Sequence, residues 1–201
     1  MTNILSNSSQ FPKMFHYLVV GFGLIIFTSC ANYSLSSEEL KWNPYNVGDE
    51  LVFVDNKGAM MNLKITSLDR NVSKINPYAG NFSGKYEQLI VNYLFINGPD
   101  RELHTLLAIG KDPKGRGFFN PTLEIPRIIH QSNPFSFDEL QRKAKTQLTV
   151  RGKTYYDVLI FNPTTPTETL AIPHITKLYW SISKGCVKFV LSNNTIWELQ
   201  S

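Results

Sequence analysis

Residues 175–191 read ITKLYWSISKGCVKFVL and carry the clearest of the strand patterns that predict the fold. Apolar side chains alternate with polar ones before the turn, at Leu178, Trp180 and Ile182. The alternation resumes after Lys184 and Gly185, at positions 187, 189 and 191. A period of two places the apolar side chains on one face of a β-strand. Two such runs separated by a Gly-containing turn predict a β-hairpin.

The same pattern recurs outward along the chain. Alternating or short apolar runs predict strands near residues 51–54, 61–66, 89–96, 103–109, 123–130, 148–161 and 195–199. The 148–161 run turns at residues 151–153. The 89–96 run is apolar on both faces, so we expect it at the centre of the sheet. Residues 69–84 and 110–121 are rich in polar residues, Gly and Lys, and we expect loops there.

Only two short segments favour a helix. Ser36 with Glu39, and Ser136 with Glu139, have the spacing of a capping box, in which each side chain satisfies a backbone N–H of the first turn. We expect the second helix to extend to about residue 145. The sequence therefore predicts a mainly β fold, an antiparallel meander of nine or ten strands that forms a curved sheet or an open barrel, with one or two short helices.

The composition excludes several classes of protein. The chain has 201 residues, of which 42% are hydrophobic and 18% charged, so it can bury a core and is not disordered as a whole. Lys and Arg number 20 against 16 Asp and Glu, a net charge of +4. The cations are scattered along the sequence, whereas nucleic-acid-binding proteins cluster theirs. We expect no nucleic-acid partner.

The N-terminus has the anatomy of a signal peptide. Lys13 precedes an apolar run, Tyr17–Phe27, which ends in small residues and Cys30. Eleven helical residues span about 16 Å, whereas the hydrocarbon core of a bilayer is about 30 Å thick. The run is therefore too short to cross the hydrocarbon core as a permanent span, and we predict that residues 1–29 are a signal peptide.

Residues 27–30, Phe-Thr-Ser-Cys, resemble the bacterial lipobox, with Phe in place of the usual Leu. The resemblance implies cleavage between Ser29 and Cys30, acylation of the Cys30 thiol, and a diacylglycerol anchor. An ordinary signal peptide with a chance cysteine and an uncleaved N-terminal anchor are the alternatives. We expect residues 30–46 to be the lipidated cysteine and a tether, and residues 47–201 to form a single β domain.

Two further stretches carry a family resemblance. Residues 45–53, YNVGDELVF, and the C-terminal segments GKTYYDV (152–158), YWSISKGCVKF (179–189) and TIWEL (195–199) are similar to those of small Bacteroidota-type lipoproteins. In that family Gly is usual at the positions of Cys186 and Asn194. The resemblance implies an exported, membrane-attached protein but no particular activity. Ala31 after the cysteine, with no acidic run behind it, implies an outer-membrane protein that faces the periplasm.

One loop is a candidate binding site. Residues 110–117, GKDPKGRG, resemble a phosphate-binding loop but lack the Lys-Ser or Lys-Thr pair that a true P-loop requires. A solvated hairpin loop is the simpler interpretation. The other interpretation is contact with an anion or a lipid headgroup through Lys111, Lys114 and Arg116.

No catalytic or metal site is predicted. His104, His130 and His174 are far apart in sequence and lack ligand spacing, and no G-x-S-x-G motif is present. Cys186 would be a lone buried thiol without a disulfide partner. We therefore expect no enzyme, cofactor or metal, but a membrane-anchored envelope lipoprotein with a structural or protein-interaction role. The alternative is a carrier that holds a lipid or another hydrophobic ligand in an apolar groove, since aromatic residues are abundant.

Overall fold

The computed structural model describes residues 31–74, 84–96, 102–126, 128, 133–163 and 172–200. The predicted signal peptide, Cys30 and His130 lie outside the described residues, as do residues 75–83 of the loop expected at 69–84. No helix in the described part of the chain has the length and apolarity that a membrane span requires.

The described residues form twelve strands and two short helices. The strands are β1 (Ala31–Tyr33), β2 (Glu50–Asp55), β3 (Met60–Lys74), β4 (Gly84–Phe95), β5 (His104–Lys111), β6 (Gly117–Pro121), β7 (Phe135–Ser136), β8 (Thr146–Val150), β9 (Lys153–Phe161), β10 (Ile175–Ser181), β11 (Gly185–Leu191) and β12 (Ile196–Gln200). The helices are α1 (Ser37–Leu40) and α2 (Phe137–Arg142).

All the strands belong to one curled sheet shaped like a half-barrel. Its strand order is β7-β6-β5-β4-β3-β2-β12-β11-β10-β9-β8, and every pair along this path is antiparallel. β1 lies off the path and pairs in parallel with β4. The predicted fold class, a curved antiparallel sheet with two short helices, is confirmed.

Two meanders make up the sheet, and they meet where the first and last strands pair. β2 through β7 form one meander, and β8 through β12 form the other. β12 lies beside β2, with Leu199 opposite Phe53. β4 has β3 and β5 as neighbours, so the prediction that residues 89–96 lie inside the sheet is confirmed.

The core is built from the alternating apolar positions of these strands. Its centre is aromatic. The centroid of the Trp180 ring lies 5.8 Å from that of Tyr45 and 5.4 Å from that of Phe119, and the Phe119 ring stacks on Phe161 with centroids 6.0 Å apart. Trp180, Phe119 and Phe161 are all buried. Aromatic pairs at these distances stabilise a core beyond the area they bury.

Helix α2 connects the two edge strands of the half-barrel. β7 ends where α2 begins, and β8 starts four residues after α2 ends. Next to the helix, the Phe135 ring lies 4.8 Å from the Phe161 ring, so side chains of β7 and β9 meet between the two edges. The ammonium group of Lys143 lies 5.6 Å from both rings. α2 therefore holds the two ends of the sheet close together.

Several expected boundaries are wrong. β3 continues through residue 74, because residues 69–74 pair with β4 although their side chains are mostly polar. Residues 117–121 form β6 rather than the end of a loop. The expected strand at 123–130 is absent from its described part, where Leu123 adopts a left-handed φ of 40° and Ile125 makes only a single bridge to Ile128.

Helix α2 is shorter than expected. It stops at Arg142, because Lys143 adopts an extended conformation with ψ of 133°. Both predicted capping boxes are present, with reciprocal bonds between Ser36 and Glu39 and between Ser136 and Glu139. The count of twelve strands exceeds the expected nine or ten because β1, β6 and β7 were not expected, which outweighs the missing strand at 123–130. β1 and β7 are too short to show a period-two pattern.

Candidate functional site

The residues that follow Cys30 belong to the folded sheet. β1 pairs with the start of β4 in the register Ala31 opposite Gly84 and Tyr33 opposite Tyr86. β5 pairs with β4 only from Gln88 onward, so β1 occupies the flank of β4 that β5 leaves open. Residues 31–46, expected as a tether that becomes structured at the Ser36–Glu39 capping box, are paired with the sheet from Ala31 onward.

The segment after β1 is fixed by buried contacts. The backbone N–H of Leu35 donates to the Glu87 carboxylate at 2.8 Å, and the Leu35 side chain is buried. Tyr45 is also buried, and its hydroxyl accepts the backbone N–H of Cys186 at 2.8 Å. Two anchors on opposite halves of the sheet thus hold the stretch between β1 and β2.

The β5–β6 turn, residues 112–116, lies against β1. Gly115 has a φ of 78°, and a Cβ placed on it would lie 2.5 Å from the Tyr33 ring. Only glycine combines this left-handed conformation with so close an approach. The loop predicted as an anion site therefore packs against Tyr33, which follows Cys30 by three residues in the sequence.

Asp112 organises this turn. Its Oδ1 accepts the backbone N–H groups of Lys114 at 2.8 Å and Arg116 at 2.9 Å, and its Oδ2 pairs with the Arg116 guanidinium at 2.6 Å. Burial alone would raise the pKa of Asp112, but the hydrogen bonds and charge of Arg116 outweigh it and lower the pKa below its ordinary value. The carboxylate stays ionised and neutralises Arg116.

Lys111 is paired as well. Its Nζ lies 2.6 Å from Glu39 Oε1, and the two side chains are only 17% and 13% exposed. Glu39 also caps α1, since its other oxygen accepts the Ser36 backbone N–H at 2.9 Å. Burial would raise the pKa of Glu39, but the bonds from Lys111 and Ser36 lower it overall. The pair joins α1 to the end of β5.

The three predicted anion-binding residues therefore differ in kind. Lys111, Lys114 and Arg116 are brought together at one turn, but Lys111 and Arg116 each have a carboxylate partner within 2.6 Å. Lys114 is exposed and makes no ion pair with the described residues. Of the three, Lys114 is the cation with its charge most open to an external anion.

A cleft of about 270 Å³ lies beside this turn. The polar side chains around it already bond to one another, Asp112 to Arg116 and Ser136 to Glu139. The complete lining consists of Asp112, Arg116, Gly117, Phe118, Pro134, Ser136 and Glu139. Because these groups are satisfied internally, the cleft does not present a set of convergent polar atoms to a ligand.

Among the described residues, the fold does not assemble a metal site or a reactive cysteine. Within the described residues, no group of three or more His, Cys, Asp or Glu side chains could hold a metal. Cys186 is fully buried, and that burial raises the pKa of its thiol far above the ordinary value, so it stays protonated and unreactive. The His104 ring packs against Tyr93 and Phe95.

The sequence missed the residues that hold this site together. Glu39 and Tyr45 bond to residues 72 and 141 positions away in the sequence, and Tyr33 packs on the distant turn at Gly115. Glu39 had a local explanation as a cap, which hid its bond to Lys111. No local pattern signals such pairs; the nearest hint was Gly at 115, which marks a close approach.

The comparisons with known proteins add no relative. No family model matches the chain, and neither a curated protein nor a solved structure is significantly similar to it. The resemblance to Bacteroidota-type lipoproteins therefore rests on the quoted motifs.

Proposed function

We propose that this chain is a lipoprotein of the bacterial envelope, anchored to the outer membrane through an acylated Cys30, facing the periplasm, with a structural or protein-interaction role and no catalysis. The run from Lys13 to Cys30 supports cleavage before Cys30 and acylation of its thiol. A diacylglycerol with a further amide-linked chain would anchor the protein durably, because each buried CH₂ contributes about 0.8 kcal/mol.

The observation that carries this proposal is the position of β1. Ala31, the residue directly after the predicted lipid site, is already paired with Gly84 of β4. With Leu35 buried and bonded to Glu87, the chain has no slack between the anchor and the domain. Such a junction suits a protein that works at the membrane surface in a fixed position.

The packing of the interior favours this role over that of a carrier. The aromatic residues that could have lined a ligand groove, among them Phe119, Phe161 and Trp180, are buried against one another at ring distances of 5.4–6.0 Å. Phe119, which follows the basic loop, is fully buried. Side chains occupy the place that a hydrophobic ligand would need.

The intact mass of the protein extracted from bacterial membranes tests the anchor. We expect a chain that begins at Cys30 and carries the mass of the acyl groups. A Cys30→Ser variant, expressed in parallel, should lose both the cleavage and the acyl mass. A wild-type protein that keeps residues 1–29, or that begins at residue 30 without added mass, would overturn the proposal.

A further inference from the structure

We propose that the rim of the sheet where β1 begins, here called the β1 rim, docks on a membrane surface by binding anionic phospholipid headgroups. This inference rests on the proposed lipid anchor, which would hold the β1 rim against the bilayer. It goes further by naming the surface, its ligand class and the side chains that bind.

The strand register defines the β1 rim. β1 is parallel to the start of β4, so it begins at the end of the sheet where β4 begins and β5 ends. Alternate turns of an antiparallel meander lie at the same end. Following the strand order from β4 in both directions places three described turns at this end. They are residues 112–116 between β5 and β6, 182–184 between β10 and β11, and 151–152 between β8 and β9.

Each of these three turns presents cations to solvent. Lys114 lies in the first, Arg151 in the second with Lys153 directly after it, and Lys184 in the third. Lys85, paired with Asn32 of β1, adds a fifth cation at the same end. All five are exposed, and none makes an ion pair with the described residues.

The carboxylates of this rim do not cancel these charges. Four of the eight are neutralised in ion pairs, namely Glu38–Lys41, Glu39–Lys111, Glu50–Lys64 and Asp112–Arg116. Asp138 and Glu139 of α2 are balanced along the chain by Arg142 and Lys143. Asp49 and Asp157 remain, and Asp157 accepts hydrogen bonds from Ser181 and from the Ser183 backbone N–H.

The opposite rim has no such excess. Its described turns, residues 56–59 and 192–195, contain a single cation, Lys57. Glu102 and Glu124 lie at this end, beside the start of β5. Two more exposed lysines without an ion pair among the described residues, Lys145 and Lys177, lie where β8 and β10 begin, so the opposite rim has three such cations and the β1 rim five. The larger number lies at the end where the chain arrives from Cys30.

An anionic lipid surface is the partner that fits this arrangement. Cationic side chains near a membrane attract acidic headgroups, and the attraction falls off within a Debye length of about 10 Å. A chain with no slack after Cys30 would keep the cations of the β1 rim within that range. Tyr156, 73% exposed on the same hairpin as Arg151, supplies an amphipathic ring of the kind enriched at membrane interfaces.

Vesicle binding by the full chain carrying Cys30→Ser tests the surface without the acyl anchor. Binding is compared between phosphatidylcholine vesicles with and without phosphatidylglycerol, so that any contribution of the apolar run 17–27 cancels. We expect the anionic lipid to strengthen binding. Each cation in contact contributes about fivefold, so Lys114→Gln with Lys184→Gln should remove tenfold or more of that gain.

A matched variant controls for net charge. Lys57→Gln with Lys177→Gln removes the same charge from exposed lysines toward the opposite rim, and we expect it to keep the gain. At about 1 M salt the gain should vanish. Equal losses in the two double variants, or no gain from phosphatidylglycerol, would overturn the docking surface. A missing acyl mass at Cys30 would overturn the proposed function instead, so the two failures are distinguishable.

Discussion

Residues 31–49 and residues 175–200 are attached to the same sheet in different ways. The C-terminal segment is held by regular backbone ladders, from β10 through β11 and β12 to β2. The N-terminal segment has one three-residue strand, and the rest of it is held by individual side chains such as Tyr45 and Glu39.

The difference shows which kind of attachment a sequence reveals. Ladders follow from alternation, so β10, β11 and β12 are visible in the sequence. Single contacts between residues distant in sequence leave no periodic trace, so the sequence predicts only the short capped helix within the N-terminal segment and not its attachment to the sheet. If the segment is part of the domain, single substitutions within it should cost as much stability as substitutions in the core.

The largest loss is expected for Tyr45→Ala. The substitution removes a buried ring that packs edge-on against Trp180, and we expect the free energy of unfolding to fall by about 3–5 kcal/mol. Tyr45→Phe keeps the ring and leaves the buried Cys186 N–H without its acceptor, so it should cost about 1–3 kcal/mol. Urea unfolding measures both. A loss below about 1 kcal/mol for Tyr45→Ala would mean that the segment is not docked.

Gly185→Ala probes the same contact from the C-terminal side. Gly185 has a φ of 80°, and a Cβ on it would overlap the Tyr45 hydroxyl. We expect a loss of about 2–4 kcal/mol from left-handed strain and overpacking combined. Gly152→Ala is the control, since Gly152 has a φ of 85° and nothing within 4 Å, and strain alone should cost about 1–2 kcal/mol. In the Tyr45→Ala background the two glycine substitutions should cost the same.

Glu39→Gln should cost about 1–2 kcal/mol at pH 7, because it removes the charge that bonds Lys111 and caps α1. The pKa of Glu39 is lowered in the folded state, so its stabilisation is complete above the unfolded value of about 4.5 and is lost as pH falls through the folded value. Unfolding measured from pH 7 to pH 3 should therefore show the gap to wild type closing below about pH 4.5. Glu38→Gln, an exposed pair on the same helix, should change stability by less than about 0.5 kcal/mol.

The smallest effect is expected in the last hairpin of the C-terminal segment. Asn194 has a left-handed φ of 63°, which glycine adopts at lower cost, so Asn194→Gly should raise stability by about 0.5 kcal/mol. Asn193→Gly should lower it, because the Asn193 Oδ1 accepts the Thr195 N–H at 3.1 Å. Thermal unfolding of the two variants separates these signs. A loss for both would show that the turn depends on the asparagine side chains alone.

The sequence predicted the parts of the fold that follow from local chemistry. Alternation located an internal strand near residues 89–96, and two Ser-x-x-Glu spacings located both helices. It failed at residues 69–74, where backbone pairing with β4 outweighs a polar composition, and at Leu123, whose left-handed backbone ends the strand pattern.

The candidate site was half visible. The cluster of Lys111, Lys114 and Arg116 stands out in the sequence, but its neighbours do not. Asp112 could be expected to pair within its own turn, whereas Glu39 lies 72 residues from Lys111. The basic turns of the β1 rim cannot be recognised from the sequence for the same reason. Arg151 and Lys184 lie at the same end as Lys114 only because of the strand order, which no local pattern encodes.

Hydrogen exchange on the protein extracted from membranes tests most directly whether the chain after Cys30 is part of the domain. The amide of Leu35, bonded to Glu87, should be protected, and peptides covering residues 32–45 should exchange with the slow core strands. Protection there should be comparable to that of residues 185–191. Exchange at the rate of unstructured chain across residues 32–45 would contradict it, and the anchor would then be joined to the domain by a flexible tether.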